Sequence, residues 1–113
     1  MCTEYDFTGN HGKEYRLSVQ SSGDDYRFVV VLGESITQLS TGVESWLIGN
    51  YLSVSGGTQF YNNGDSCGNG ISREATITLL AGKETKLLEF KEPSPCKYVF
   101  LMETNCKEGN ILL

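Results

Sequence analysis

The sequence predicts an all-β domain, and three observations carry that prediction. Short runs with period-two patterning and β-branched or aromatic enrichment dominate the chain, turn chemistry separates them at close intervals, and no segment sustains a 3.6-residue apolar period. The runs are Glu14 to Gln20, Tyr26 to Leu32, Val43 to Ile48, Tyr51 to Val54, Thr58 to Tyr61, Ser72 to Leu80, Lys86 to Phe90 and Lys97 to Glu103. Between them lie Ser21-Ser22-Gly23-Asp24-Asp25, Ser55-Gly56-Gly57, Asn62-Asn63-Gly64-Asp65 and Ala81-Gly82-Lys83, all rich in residues that favour turns. Ser35 to Leu39 is the exception and reads as a short helical turn. Asp24 and Asp25 read as solvated turn residues. Many strands at short spacing argue for two packed antiparallel sheets or a flattened barrel. No internal repeat is present.

At 113 residues the chain forms one domain, residues 1–113, large enough for a single core and too small for two. The formal charge is -5 and the Lys and Arg residues are scattered. Nucleic acid is therefore excluded as a partner, because neutralising phosphates requires a basic stripe. No apolar run approaches the roughly 20 residues needed to cross a bilayer, so direct membrane insertion is not expected. The chain does not open on a charged-then-apolar leader; a secreted protein would appear here as a mature fragment with Met1 added.

Four cysteines, Cys2, Cys67, Cys96 and Cys106, lack the short paired spacings of zinc sites and have only His11 to assist them. No metal or other cofactor is expected. An even cysteine count in a small Gly- and Tyr-rich chain fits disulfides and an oxidising compartment. Spacing alone leaves all three pairings open.

Several motifs yield to plain readings. Gly82-Lys83-Glu84-Thr85 lacks the upstream Gly and the following Ser/Thr of a phosphate-binding loop, and it joins two strands, so it is a hairpin turn. A Ser-His-Asp or Cys-His site would rest on His11 alone, in a Gly-rich loop. Glycoside hydrolysis needs two facing carboxyls, for which Asp65 and Glu92 are candidates, but a domain this small has little room for a deep cleft. The backbone amides of Asn62 to Gly70 could gather around an anion, yet no Lys or Arg accompanies Asp65 before Arg73. That segment reads as a hairpin connection.

Arg73 is harder to explain structurally. Alternation puts it on the face of Ala75, Ile77 and Leu79, pointing a cation inward, where it needs a partner. Glu92 is the nearest candidate after a hairpin return, and a purely structural ion pair is the competing reading. Tyr98 shares its face with Cys96, Phe100 and Met102, so a core tyrosine with a satisfied hydroxyl is its plain reading. Arg, Glu and Tyr joined by a Gln nevertheless suit a sugar. The guanidinium donates up to five hydrogen bonds, the carboxylate accepts two or more, and the phenol and carboxamide do both.

These residues resemble a known family. Tyr61-Asn62-Asn63-Gly64-Asp65-Ser66-Cys67, Arg73 with Ala75-Thr76-Ile77-Thr78-Leu79-Leu80, Gly82-Lys83-Glu84-Thr85, Glu92-Pro93-Ser94-Pro95-Cys96-Lys97-Tyr98 and Glu103-Thr104-Asn105-Cys106 are similar, in order and spacing, to the mannose 6-phosphate receptor homology (MRH) lectin domain. Cys2 to Phe7 resembles the family's opening strand, so the likeness covers nearly the whole chain, more loosely in its first half. The resemblance implies a flattened antiparallel β-barrel of two roughly orthogonal sheets. It implies no catalysis and a site of Gln38, Arg73, Glu92 and Tyr98, with Gln20 and Gln59 as alternatives for the glutamine. In the family's assignment the Gln and Arg hold the 2-hydroxyl region of mannose, and the Glu and Tyr hold the 3- and 4-hydroxyls. Cys67 with Cys96 matches a family disulfide. Gly33 and Ala81 stand where several members carry cysteines, which leaves Cys2 and Cys106 to pair with each other.

The motifs are nearest to those of the glucosidase II β-subunit, the phosphotransferase γ-subunit or the mannose 6-phosphate receptor repeats. Gly68 departs from the glucosidase II pattern, which has a Trp after this cysteine. The implied function is a lectin module for terminal mannose of high-mannose N-glycans in the lumen of the secretory pathway, the endoplasmic reticulum first and Golgi or endosome as the alternative. Its partners would be glycoprotein N-glycans and an enzyme subunit. A mannose 6-phosphate-binding repeat and a noncatalytic protein-association subunit are the alternatives.

Overall fold

The computed structural model describes residues 2–21, 24–39 and 45–106. Val43 and Glu44, the expected start of the third strand, lie outside the described residues, as do Ser22 and Gly23 of the first expected turn.

Eight strands follow a one-turn helix: α1 (Tyr5–Thr8), β1 (Glu14–Ser21), β2 (Asp24–Val31), β3 (Ser35–Leu39), β4 (Ser45–Ser55), β5 (Thr58–Asn63), β6 (Glu74–Ala81), β7 (Lys86–Ser94) and β8 (Lys97–Thr104). They are hydrogen-bonded side by side in the order β1-β2-β3-β4-β5-β6-β8-β7. The sheet curls until its two edges, β1 and β7, pack against each other, which nearly closes the all-β barrel that the sequence predicts. Every pairing is antiparallel except β6 with β8, which run parallel in the register Ala75 to Tyr98. That parallel pair brings the start of β6, next to Arg73, beside the start of β8 and Tyr98.

Alternation explains which side of each strand is buried. On β6 Ala75, Ile77 and Leu79 are buried, and on β8 Tyr98, Phe100, Met102 and Thr104 are, while the residues between them face outward. Phe28 of β2 anchors the core end nearest the site, with its ring centroid 4.6 Å from Phe90 and 5.1 Å from Phe100. Such tilted and edge-on pairs place ring edges against ring faces, the geometry aromatic quadrupoles favour.

Five expectations are corrected. Gly82 to Thr85 is not a hairpin turn: it joins β6 to β7, and β8 lies between those two strands in the sheet, so the segment is a crossover connection. Ser35 to Leu39 is a strand, not a helical turn: it pairs with β2 on one side and β4 on the other, and two ladders outweigh the local preference of five residues. Cys2 to Phe7 is not an opening strand. The Asp6 carboxylate accepts from the Thr3 backbone N–H at 2.7 Å, a local turn that curls the chain into α1 and buries Phe7. Ser45 to Ile48, the described part of the third expected run, and Tyr51 to Val54 belong to one long strand, β4, because an irregularity between Tyr51 and Ser53 absorbs the break in alternation. Asp24 and Asp25 are paired residues of β2, opposite Ser21 and Gln20, rather than turn residues.

Candidate functional site

A cavity of about 340 Å³ opens at the end of the barrel where β1, β2, β3, β7 and β8 meet. Its apolar wall is Val19, Phe28 and Phe90, with Tyr26 beside them. Its polar wall is Gln38, Glu92, Tyr98 and Lys91. Three of the four expected site residues therefore line one hollow. Gln38 stands in the cross-strand row Phe28, Gln38, Trp46, which runs from β2 through β3 to β4. Of the alternative glutamines, Gln59 is fully buried in a separate hydrogen-bonded cluster, and Gln20 is exposed on β1.

Arg73 is not on the cavity wall but adjoins it. It sits one residue before β6, and its backbone is clamped in a small antiparallel arrangement: Gly64 N–H donates to the Arg73 carbonyl at 2.9 Å, and Arg73 N–H to the Asp65 carbonyl at 3.1 Å. Gly64 has no substitute here, since a Cβ would collide with the Ile48 and Leu47 carbonyls. The guanidinium Nη1 donates to the Ser66 carbonyl at 2.7 Å and the Asp65 carbonyl at 3.3 Å. Its Cζ lies over the Trp46 ring, 4.9 Å from the centroid. The structural Arg73–Glu92 ion pair weighed from the sequence does not form; backbone carbonyls and an indole hold the cation instead.

Glu92 is oriented by the turn that follows it. Its Oε2 accepts from the Cys96 N–H at 3.0 Å, which leaves Oε1 for a ligand. Pro95 and Cys96 connect Ser94 to Lys97, and Cys96 has φ +70, the pattern of a type II turn. Gly ordinarily takes that position, because a side chain is strained there. Cys96 bears the strain because its sulfur is joined to Cys67, with Cα atoms 6.2 Å apart. The bond ties the loop before Arg73 to the hairpin carrying Glu92 and Tyr98. Cys2 and Cys106 form the other disulfide, Cα atoms 5.6 Å apart, and fasten α1 to the end of β8.

Tyr98 is buried except for its access to the cavity. Burial pushes its phenol pKa up, the Arg73 guanidinium pulls it back, and the Glu92 carboxylate adds to the rise. The phenol thus stays protonated at neutral pH and can donate as well as accept.

Asp65 does not face Glu92 as a second carboxyl of the site. Its Oδ2 accepts from the Leu47 N–H at 2.8 Å, while its own N–H donates to the Leu47 carbonyl at 2.7 Å, so it staples the loop to β4. His11 does lie in the turn before β1, but its ring is held in place. Its Nε2 lies 2.9 Å from the Gln59 carboxamide nitrogen, and its ring packs edge-on against Tyr51. Trp46 and Tyr26 were missed by sequence reasoning. The signal for Trp46 was available: it is the single tryptophan of the chain, in an expected strand next to the expected glutamine-bearing segment.

A nearly closed eight-stranded barrel, with Gln, Glu and Tyr lining a hollow at one end and an Arg behind them, defines a protein of the MRH lectin type. The chain belongs to the glucosidase II beta subunit-like family, whose model matches residues 11–112. It is 34% identical over 79 residues to glucosidase 2 subunit beta of Schizosaccharomyces pombe and 37% identical over 73 residues to the human protein of that name. Those alignments cover 70% and 65% of this chain and only 15% and 13% of the relatives' own lengths. Among solved structures, the MRH domain of glucosidase II beta bound to mannose superimposes with a TM-score of 0.68 at 30% identity, covering 87% of this chain and 95% of that one. A point mutant of a glucosidase II beta MRH domain, solved in solution, superimposes with a TM-score of 0.66 at 32% identity over 83% of this chain and 90% of that one.

Proposed function

We propose that this chain is a carbohydrate-binding module for terminal mannose of high-mannose N-glycans, working in the lumen of the secretory pathway, in the endoplasmic reticulum, as part of a glycoprotein-processing subunit. The observation that carries this reading is the convergence of Gln38, Glu92 and Tyr98 on one cavity, with the Arg73 guanidinium next to the Tyr98 phenol. The similar domain solved with mannose supports the choice of sugar. Gln38 and Arg73 hold the 2-hydroxyl region, while Glu92 and Tyr98 hold the 3- and 4-hydroxyls. Phe28 and Phe90 supply the apolar wall that a sugar's C–H face needs. Each charge-assisted bond contributes about 1.5–3 kcal/mol net. Desolvating the polar site offsets much of that, so a single site binds with a Kd on the order of micromolar to millimolar.

The module is not an enzyme in this reading. A glycosidase needs two carboxyls facing across the scissile bond, and the second candidate, Asp65, is spent on the Leu47 backbone. Phosphate on the sugar is disfavoured. Lys91 on the cavity wall offers one ammonium, but Glu89 lies 3.8 Å from it and Glu92 beside it, so an added dianion meets little net positive charge. A second role, association with an enzyme subunit, draws support from the relatives' names as beta subunits.

A glycan array decides the matter. Mannose-terminated glycans bind, glucose-terminated ones do not, because the equatorial 2-hydroxyl of glucose leaves the site's donors unpaired. Arg73→Lys abolishes the signal, since an ammonium cannot reproduce a fork of donors. Equal binding of mannose and glucose, preference for phosphorylated mannose, or a fully active Lys variant overturns the assignment.

A further inference from the structure

We propose that Trp46 is a positioning residue of this site: its indole face fixes the plane of the Arg73 guanidinium, so that the donor fork meets the sugar already oriented. The inference rests on the mannose-binding reading and deepens it. Trp46 is the cross-strand partner of Gln38, and directly opposed residues in an antiparallel pair project from the same face. Trp46 is thus the strand neighbour of the site's glutamine and presents its ring to the site's arginine. The guanidinium carbon is 4.9 Å from the ring centroid, inside the range where a cation is attracted to an aromatic face. The geometry is held from the backbone as well, because the Asp65 staple attaches to Leu47, the residue immediately after Trp46.

The chemistry of this arrangement differs from an ion pair. A carboxylate partner would hold Arg73 by consuming its N–H groups and cancelling its charge. An indole face orients the guanidinium plane, takes none of the in-plane N–H directions and leaves the charge unneutralised. Two backbone carbonyls occupy Nη1, and Nε is buried with no hydrogen-bond partner among the described residues. A buried donor left unpaired is costly and is kept only where something compensates for it. Here the attraction of the whole cation to the aromatic face offsets that cost, although it does not pair the Nε–H itself.

The test combines affinity, stability and one spectroscopic signature. Methyl α-mannoside is titrated against the wild-type domain, Trp46→Phe and Trp46→Met, with thermal midpoints measured on each. Phe keeps a ring face and should weaken binding by less than about threefold, whereas Met keeps apolar volume without the π face and should weaken it about tenfold. In the wild type the Arg73 Hε proton resonates upfield under the indole ring current, and that shift disappears in the Met variant. A Met variant with wild-type affinity, or with a lowered midpoint and unchanged affinity, reduces Trp46 to a packing residue and overturns the proposal. An Arg73 Hε at its ordinary position in the wild type overturns it whether or not the Met variant folds. Absence of mannose binding by the wild type, with the Hε shift present, instead sinks the reading of the site and takes the positioning role for sugar with it.

Discussion

Two polar clusters sit inside this barrel, and they treat the same residue type in opposite ways. In one, Gln59 is fully buried with both ends of its carboxamide engaged: Oε1 accepts from the Tyr61 hydroxyl at 2.7 Å, and Nε2 lies 2.9 Å from His11 Nε2. The Tyr61 hydroxyl in turn accepts from the Gly33 N–H at 2.9 Å, and Gly33 leaves no room for a Cβ above the His11 ring. That cluster is closed, every partner coming from the chain. In the other, Gln38 faces a cavity, Glu92 uses one oxygen internally, and a buried nitrogen of Arg73 has no partner among the described residues. A closed network contributes to the fold, whereas an open one keeps hydrogen-bonding capacity for something that is not part of the chain.

If that contrast is right, the two clusters separate under mutation. The largest effect falls on neither cluster alone but on the brace beneath the open one. Replacing Cys67 and Cys96 together by Ser releases a bridge spanning 29 residues, which should cost about 3–4 kcal/mol in the chain-entropy model. It should also abolish mannose binding, because the Arg73 loop and the Glu92–Tyr98 hairpin are no longer tied. Urea unfolding and a sugar titration on one sample check both halves. Gln59→Ala comes next. It opens a cavity and leaves the Tyr61 O–H without its acceptor, so roughly 2–3 kcal/mol of stability should be lost with the affinity of the folded fraction unchanged. Gln38→Ala reverses the pattern, with about 1–2 kcal/mol lost from mannose binding and little from the thermal midpoint. Equal stability losses for the two glutamine variants would erase the distinction between the clusters.

The sequence made one of these clusters legible and concealed the other. Arg73 was conspicuous because alternation aimed a cation into the core, and Glu92, Tyr98 and Gln38 followed from a resemblance carried by motifs with fixed spacing. Strand patterning placed most of the barrel for the same reason: half-buried strands write their burial into every second residue. What pattern could not supply was partnership at long range. Gln59 and His11 are 48 residues apart in the chain and meet only because β5 and the segment before β1 are brought together by the rolled sheet. Ser35–Leu39 was misjudged as a turn because its strand character comes from β2 and β4, not from its own five residues. Arg73 likewise was expected to seek a carboxylate; carbonyls of its own loop and a tryptophan from β4 were nearer, and neither carries a charge that a pattern search would notice.

Alkaline titration sharpens the comparison with the smallest expected effect, because each cluster holds one buried tyrosine. Burial raises the phenol pKa of both Tyr61 and Tyr98 above the usual value near 10, and Tyr61 by far the more, since it is the more deeply buried and the Gly33 N–H takes back only part of the rise, while at Tyr98 Arg73 offsets part of a smaller one. A group whose folded pKa exceeds its unfolded pKa keeps its proton in the native state after the unfolded chain has released it. Stability from both phenols is therefore full below about pH 10 and declines as pH climbs through the unfolded value toward the folded ones. Tyr98 should ionise first, and its loss of a proton removes a donor from the cavity, so mannose affinity should fall at a lower pH than the one at which Tyr61 ionises. Absorbance of tyrosinate, followed alongside mannose binding in wild type and Tyr61→Phe, resolves the order. Tyr61→Phe should leave the pH profile of binding in place while removing the slower-titrating phenol. If the binding profile instead moves with Tyr61, the two clusters are coupled and the barrel does not keep its structural and ligand-facing polar groups apart.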